Sequence, residues 1–351
     1  MAPARFTYVP AGELAGRPHV MVDGMPRPGT VCTLSHWPGT PTAHELWDDV
    51  SAGIVLRALS RPGFLPDGVD VASVDHYDED GAIALGMLCV DGLATAHGPM
   101  LVEAARVGDF GVVEDRGPAL VAFALAALGR GAGDAPGSDG REEPGGSPGP
   151  GDDVMDRCAR SATAALSTMA ALADDPGRFE ELWGDEARAF DAAVRIIDDG
   201  VAVIEEHPRH DLAVVRVDVA HSAVARAAWD GAPVHRAAVH SSTTRLRILT
   251  IAGARFELRY RYESWVRMTS RRPRPRVDLG PLAAELTKAE EDGARWVFDG
   301  ASALTGALHL VGDGPSTLDP DRLVDTVCER LEALDAGPAA WDPYTVPVPP
   351  G

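Results

Sequence analysis

Val74-Asp75-His76-Tyr77-Asp78-Glu79-Asp80-Gly81-Ala82-Ile83-Ala84-Leu85 opens on an apolar lead-in, passes through a run of ionisable side chains and closes on a glycine before an Ala/Leu-rich segment. The stretch reads as strand, acidic turn and helix. In extended backbone alternate residues share a face, so His76, Asp78 and Asp80 point one way while Tyr77 and Glu79 point the other. Like-facing groups of this kind repel as anions unless a cation sits among them, and a divalent ion that prefers oxygen and nitrogen fits. Gly81 allows a tight turn into the helix, whose N-terminal amides offer a place for a phosphate oxygen beside the metal. A plain solvated turn explains the same letters, because Asp-x-Asp-Gly is common loop chemistry. The position between a strand and a helix supports the metal, since open α/β sheets bind ligands at the carboxyl ends of their strands. Both readings stand at this stage.

Working outward, His19 to Val22 reads as a buried strand ending in an Asp23-Gly24 turn, and Thr30 to Ser35 as a second strand ending on His36. Each places a candidate ligand at a strand end. Trp37 to Pro41 is a Pro/Gly-rich loop, and a helix follows from Glu45 to Leu59, with Asp49 or Ser51 as its cap. Beyond the acidic turn, the patterning predicts helices from Gly81 to Val90, around Leu101 to Arg106 and from Gly117 to Arg130. Asp109 stands between glycines in Val107-Gly108-Asp109-Phe110-Gly111, where it is free to approach a metal closely, and is a fourth candidate ligand. An ordinary turn aspartate is the competing reading.

His76-x-Asp78-x-Asp80-Gly81 before a small-residue helix resembles the first motif of the DHH phosphoesterase superfamily. The likeness covers about a dozen residues. It implies two divalent metals, commonly manganese, and cleavage of phosphodiesters or pyrophosphates. The Asp23 and His36 strand ends are similar to later motifs of the same superfamily, but here they precede the His/Asp/Asp group, and Trp37 stands where a second histidine belongs. Either the domain is circularly permuted with a degraded third motif, or the likeness of this N-terminal part is accidental. The full chain, through Ser35-His36-Trp37-Pro38-Gly39, Gly108-Asp109-Phe110 and Glu257 to Trp265, also resembles an uncharacterised bacterial family of unknown function.

The 351 residues suffice for two domains, and 45% hydrophobic residues is ordinary for a packed core. A net charge of −21 argues against long duplex nucleic acid and anionic membranes as bulk partners. The scattered Cys32, Cys89, Cys158 and Cys328 form no Cys-x-x-Cys pair and read as small core residues. With no basic-then-apolar start and no long apolar run, the expectation is a cytoplasmic, reduced protein.

Residues 131 to 153 lack apolar periodicity and read as a disordered, removable insertion. Helices are expected from Val154 to Ala173 and from Arg178 to Glu206. Strands are expected over Asp211 to Asp218 and Val234 to Ser241, followed by a hairpin of Arg245 to Thr250 with Arg255 to Tyr262 around Gly253. Further on come a helix from Leu282 to Asp292, a strand near Arg295 to Phe298 and a helix from Asp321 to Leu334. Arginines alternating with apolar residues in Arg245-Leu246-Arg247 and Arg259-Tyr260-Arg261 make one sheet face basic. Arg271, Arg272, Arg274 and Arg276 then form a local anion site by contrast with the acidic remainder, unless this basic face only pairs with the acidic first domain.

The expected fold is α/β: a mostly parallel sheet domain with helices on both faces over residues 1 to 207, a smaller α+β substrate-binding domain over 208 to 336, and a Pro-rich tail from 337 to 351. The expected function is a phosphoesterase or pyrophosphatase dependent on Mn2+ or Mg2+ and acting on a small nucleotide or short oligonucleotide. His76, Asp78 and Asp80 are the metal ligands, with Asp109, Asp23 and His36 as further members. Arg271 to Arg276 grip the anionic substrate. The rival expectation is a catalytically inactive scaffold that binds nucleotide or protein.

Overall fold

The computed structural model describes residues 5–131, 152–291, 293–312 and 314–348. Its first sheet holds β1 (Thr7–Tyr8), β2 (His19–Val22), β3 (Thr30–Leu34) and β4 (Val71–Ser73) in the order β1-β4-β2-β3, every pairing parallel. Parallel neighbours need crossovers, and α1 (Ser51–Ser60) supplies the one from β3 to β4. Val20, Val22, Leu34 and Ala72 face a core shared with α1, α2 (Glu79–Cys89), α3 (Leu93–Phe110), α4 (Arg116–Gly131) and α5 (Asp152–Asp174). The opposite face presents Met21 and Val71, which pack on Leu14, Val9 and Ala11 of the N-terminal segment.

The second sheet, β5-β6-β7-β8-β10-β9, is mixed. Its strands are β5 (Ala202–His207), β6 (Leu212–Val217), β7 (Arg247–Ala252), β8 (Arg255–Tyr260), β9 (Trp296–Phe298) and β10 (Ala307–Leu310), with β6 and β7 parallel and the other pairs antiparallel. Period-two alternation sorts β6 cleanly: Leu212 and Val214 enter a core with α9 (Gly280–Ala289) and α10 (Pro320–Asp335), while Ala213, Val215 and Val217 meet α6 (Glu180–Asp198), α7 (Val224–Ala227) and α8 (Arg236–Ser242). Helices on both faces, expected of the parallel sheet, are therefore found on the mixed one.

Several sequence expectations are corrected. The predicted helix from Arg178 to Glu206 ends at Asp198, because Gly200 takes a left-handed φ of 72° and the chain returns as β5. The second sheet thus starts ahead of residue 208. Val234 to Ser241, expected as a strand, holds most of α8, whose Ala237 amide is capped by the His235 ring. The helix expected around Leu101 to Arg106 is part of a longer α3, Leu93–Phe110, which carries Pro99 inside it. Of the insertion read at 131 to 153, Gly131 closes α4 and 152–153 open α5; residues 132–151 lie outside the described residues. The tail beyond 337 is built in: Trp341 pairs with Arg276 through the backbone and stacks on Trp265 at 5.5 Å.

The arginines expected to make a basic sheet face are matched by carboxylates. Arg245 meets Glu206, Arg259 meets Glu257, Arg261 meets Glu263, and Arg247 forms a fork to Asp335 at 2.6 and 2.9 Å. Arg247 is buried, so removing its partner leaves an uncompensated charge, and Asp335→Ala is expected to cost roughly 3–5 kcal/mol in urea unfolding. Burial alone raises the Asp335 carboxyl, but the Arg247 and Arg274 guanidiniums outweigh it and hold the group below the ordinary carboxylate range. Its stabilisation is complete above the unfolded value of about 3.9 and is lost as pH falls through the lower folded value. Thermal melts between pH 5 and 2 should therefore fall more steeply for the wild type than for Asp335→Asn.

Candidate metal centre

Parallel pairing brings the carboxyl ends of β4, β2 and β3 to one edge of the first sheet. Asp23 follows β2 directly, His36 follows β3 after Ser35, and Asp75 and His76 follow β4 after Val74. Because β2 lies between β4 and β3, Asp23 lies between the two histidines. Its Oδ1 is 3.5 Å from His36 Nε2 and its Oδ2 is 3.4 Å from His76 Nε2. Asp23 holds a left-handed φ of 44°, a conformation aspartate tolerates better than most residues and one that collects at functional sites.

Two groups of metal-compatible atoms result, Asp23 with His36 and Asp80, and Asp23 with His76 and Asp78, the atoms of each lying within 4.8 Å of one another. The first is wholly buried, whereas His76 and Asp78 are half-buried at the wall of a cavity of about 1280 Å³. Nitrogen and carboxylate oxygen donors in this proportion suit Mn2+ and related divalent ions. Asp23 Oδ2 is buried, and its contact with His76 Nε2 at 3.4 Å is too long to satisfy it fully, which leaves capacity for an ion.

The tautomer of His36 follows from its neighbours. Its Nδ1 lies 2.6 Å from the Asp49 carbonyl, which only accepts, so Nδ1 carries the proton. Burial pushes the ring away from protonation despite the nearby aspartates, leaving Nε2 a bare lone pair. That lone pair faces Asp23 Oδ1, Asp80 Oδ2 at 3.9 Å and Asp109 Oδ2 at 3.5 Å, with the Tyr262 hydroxyl at 3.2 Å as donor. A backbone carbonyl fixing one ring nitrogen while the other faces carboxylates is the arrangement of a metal-ligating histidine. His76 differs: its Nδ1 lies 3.0 Å from Asp75 Oδ1 and its Nε2 3.1 Å from Asp78 Oδ2. Although burial pulls the ring down, the charge of Asp78 and the hydrogen bonds to Asp23, Asp75 and Asp78 raise it well above the ordinary imidazole value, so an ion bound there would replace the Nε2 proton. Asp75 packs so closely over Gly24 that a Cβ there would lie 2.5 Å from its Oδ1.

The acidic turn differs from the expected strand. Helix α2 already begins at Glu79, with Asp78 as its cap accepting from the Gly81 amide at 2.8 Å. Asp78 and Asp80 do not share a strand face; they diverge around the helix start and join different triads, with Asp23 common to both. Asp80 also accepts from the Ser51 and Ala52 amides at 2.6 and 2.7 Å, so the α1 cap is Asp80 and not Asp49 or Ser51. The Ser51 hydroxyl is thereby released to donate to Asp23 Oδ1 at 2.8 Å. Gly81 lies inside the helix and serves close approach: a Cβ would sit 3.1 Å from Asp23 Oδ2 and 3.2 Å from Asp78 Oδ1. Asp109 lies in the last turn of α3, ahead of a left-handed Gly111, and not in a glycine turn. Gly108 lets α3 touch α2, since a Cβ would meet Glu79 Cβ at 2.5 Å.

The electrostatics favour a cation. Burial first, and then the charge of Asp78, raises Asp23; burial, then Asp23 and Asp78, raise Asp80 well above the carboxylate range against the pull of the two α1 amides. The His76 ring and, more weakly, His36 pull Asp23 down but do not offset its burial and the charge of Asp78, so carboxylates packed together here would gain from further positive charge.

The basic segment is placed otherwise than expected. None of Arg271, Arg272, Arg274 and Arg276 lines the large cavity. Arg272 faces Asp342, Arg274 binds Asp335 at the wall of a separate cavity of about 480 Å³, and Arg276 is fully buried among backbone carbonyls. The cavity is lined instead by Arg255 and Arg259 of β8, with Arg27, Arg130, Arg157 and Arg236 from other elements. Asp75, Ser51 and Tyr262 support the ligands and carried no recognisable signal alone, although Tyr262 sits in the Glu257 to Trp265 run.

No helix among the described residues is long and apolar enough to cross a membrane. The chain belongs to a family of unknown function, DUF6687, whose model matches residues 4–345. No curated protein and no solved structure matches the chain.

Proposed function

We propose that this chain is a divalent-metal-dependent phosphoesterase or pyrophosphatase acting on a small nucleotide or short oligonucleotide, built on a DHH-like arrangement. The carrying observation is Asp23, shared by two His/Asp triads at one sheet edge. A pair of divalent ions, Mn2+ foremost, would supply Lewis-acid charge to phosphoryl oxygens and acidify water near neutral pH. Asp23, His36 and Asp80 would hold the inner ion, with Asp109 beside them, and Asp23, His76 and Asp78 the outer one, which faces the cavity. Asp49 and Asp75 orient the two imidazoles. Arg255 and Arg259 line the same cavity as His76 and Asp78 and would offer counter-charge to the anionic substrate, Arg259 while still paired with Glu257, a role moved from the Arg271 to Arg276 segment.

The test is turnover of nucleotide phosphodiesters and pyrophosphates with Mn2+ and with EDTA. Activity indifferent to EDTA would remove the proposal. Arg255→Ala and Arg259→Ala are expected to raise KM roughly tenfold with little change in kcat, since remote charge contacts bind ground and transition states alike. Arg272→Ala should leave KM unchanged.

A second reading, a nucleotide-binding scaffold without turnover, draws on Trp37, whose ring lies 5.1 Å from that of His76 and offers no ligand atom. Mn2+ and nucleotide binding with no turnover in the full screen would favour it.

A further inference from the structure

The same cavity extends from His76 and Asp78 to a polar pair that the metal chemistry does not use, His235 and Glu186. His235 is buried, 4% exposed, and its Nδ1 accepts from the Ala237 amide at 3.2 Å, capping α8. An Nδ1 that accepts carries no proton, so the ring is neutral and Nε2 bears the hydrogen. That Nε2–H makes no hydrogen bond among the described residues; the nearest carboxylate oxygen, Glu186 Oε1, is 3.6 Å away. Glu186 is itself buried, its other oxygen taken by Arg130 at 2.7 Å. The pair therefore offers one donor and one acceptor side by side, both desolvated and neither engaged with the other. An unmade buried donor of this kind is a cost that a ligand with an acceptor would recover.

The surround is aromatic. Phe123, Phe190 and Trp229 ring the imidazole at centroid distances of 5.7, 5.7 and 6.1 Å. A ligand reaching the pair must be flat, with apolar faces and an edge that accepts and donates at adjacent atoms. A nucleobase edge meets both conditions. Position agrees: α8 runs from the His235 cap to His240, whose Nδ1 is 2.9 Å from the carbonyl of Phe110, the neighbour of Asp109. Five residues of helix span about 7.5 Å. On the other side Tyr77, between His76 and Asp78, packs on Gly129 beside Arg130, where a Cβ would lie 2.8 Å from its ring.

We infer that His235 and Glu186 form a nucleobase subsite at the far end of the cavity, reading the base edge while the phosphate lies toward the metal centre. The inference rests on the proposed metal chemistry only for where the phosphate goes. Base recognition itself is independent of metal.

The test measures binding of GMP, AMP, UMP and CMP against ribose 5-phosphate, by calorimetry in EDTA. At least one nucleotide is expected to bind tenfold or more tightly than ribose 5-phosphate. His235→Asn keeps an acceptor for the Ala237 amide, because asparagine caps helices well, and removes the Nε2–H. It and Glu186→Gln are each expected to lose tenfold or more in nucleotide affinity while ribose 5-phosphate binding stays unchanged. All four nucleotides binding no better than ribose 5-phosphate, or an unchanged affinity in the folded His235→Asn variant, overturns the subsite. Mn2+ titration of the wild type runs in parallel. Mn2+ binding without base preference sinks the subsite alone, and base preference without Mn2+ binding sinks the metal reading alone.

Discussion

Asp23→Asn is expected to abolish binding of both ions together and to lower kcat by about 10³-fold or more, about 4 kcal/mol of transition-state stabilisation. The size follows from position: Asp23 contributes to both triads, so its loss strips each of them, while Asp78→Asn or Asp80→Asn removes a ligand from one. Stability should move the other way. Without metal, Asp23 is a buried carboxylate raised by burial and then by Asp78, and Asp80 one raised by burial and then by Asp23, and the amide relieves that repulsion. The metal-free variant is thus expected to melt above the metal-free wild type. Adding Mn2+ reverses the order, because an ion at 100 times its Kd stabilises the wild type by about 2.7 kcal/mol and the variant by nothing. Thermal melts with and without Mn2+, beside metal counts per chain, read all of this. A variant that keeps both ions, or a wild type whose melting is indifferent to Mn2+, would show that the cluster is only a packed acidic core.

How much of this site was legible depended on whether chemistry and chain order coincided. Asp23, His36 and His76 were readable because each ends an apolar run, and parallel strands must deliver such ends to one edge. Strand alternation points to Asp80 for a reason the fold does not share, since Asp78 caps α2 and turns the chain helical immediately. Nothing local announces that the Asp80 carboxylate caps α1, because the two amides it binds are 28 and 29 residues earlier. The basic face was misjudged for a related reason. Arginine spacing along Arg245, Arg247, Arg259 and Arg261 is visible in sequence, but the partners Glu206 and Asp335 come from distant elements. Charge runs report what a face carries and not what has already neutralised it.

Arg276 shows the same point at its largest expected effect on stability. Its place in a run of arginines suggests a substrate contact, yet its guanidinium is fully buried, donating to Ser264 Oγ at 2.8 Å and to the carbonyls of Arg261, Ala301, Ala303 and Leu304. With no carboxylate among these partners, burial brings its pKa down to about 9. Those acceptors come from two loops: the short turn Tyr262–Ser264 with its cap Arg261, which carries the Tyr262 hydroxyl to His36, and the segment from 301 to 304. The arginine's own backbone holds Trp341, which stacks on Trp265, itself stacked on Tyr262. Arg276→Ala takes away the donor shown for the Ala301 and Leu304 carbonyls, whereas those of Arg261 and Ala303 still accept from Ser264 and Gly306. At about 1–3 kcal/mol for each unmet carbonyl, a loss of roughly 4 kcal/mol is expected in urea unfolding. Arg276→Lys should recover only part, since an ammonium has three donors and no planar fork. In the folded lysine variant Mn2+ affinity is expected to fall by about 10- to 100-fold, the range for disturbing groups that orient a ligand, because the Tyr262 turn shifts against His36. A stability within about 1 kcal/mol of wild type for Arg276→Ala would mean that water replaces the guanidinium. Unchanged Mn2+ affinity in Arg276→Lys would mean that the turn is held from elsewhere, and that the second half of the chain touches the centre without shaping it.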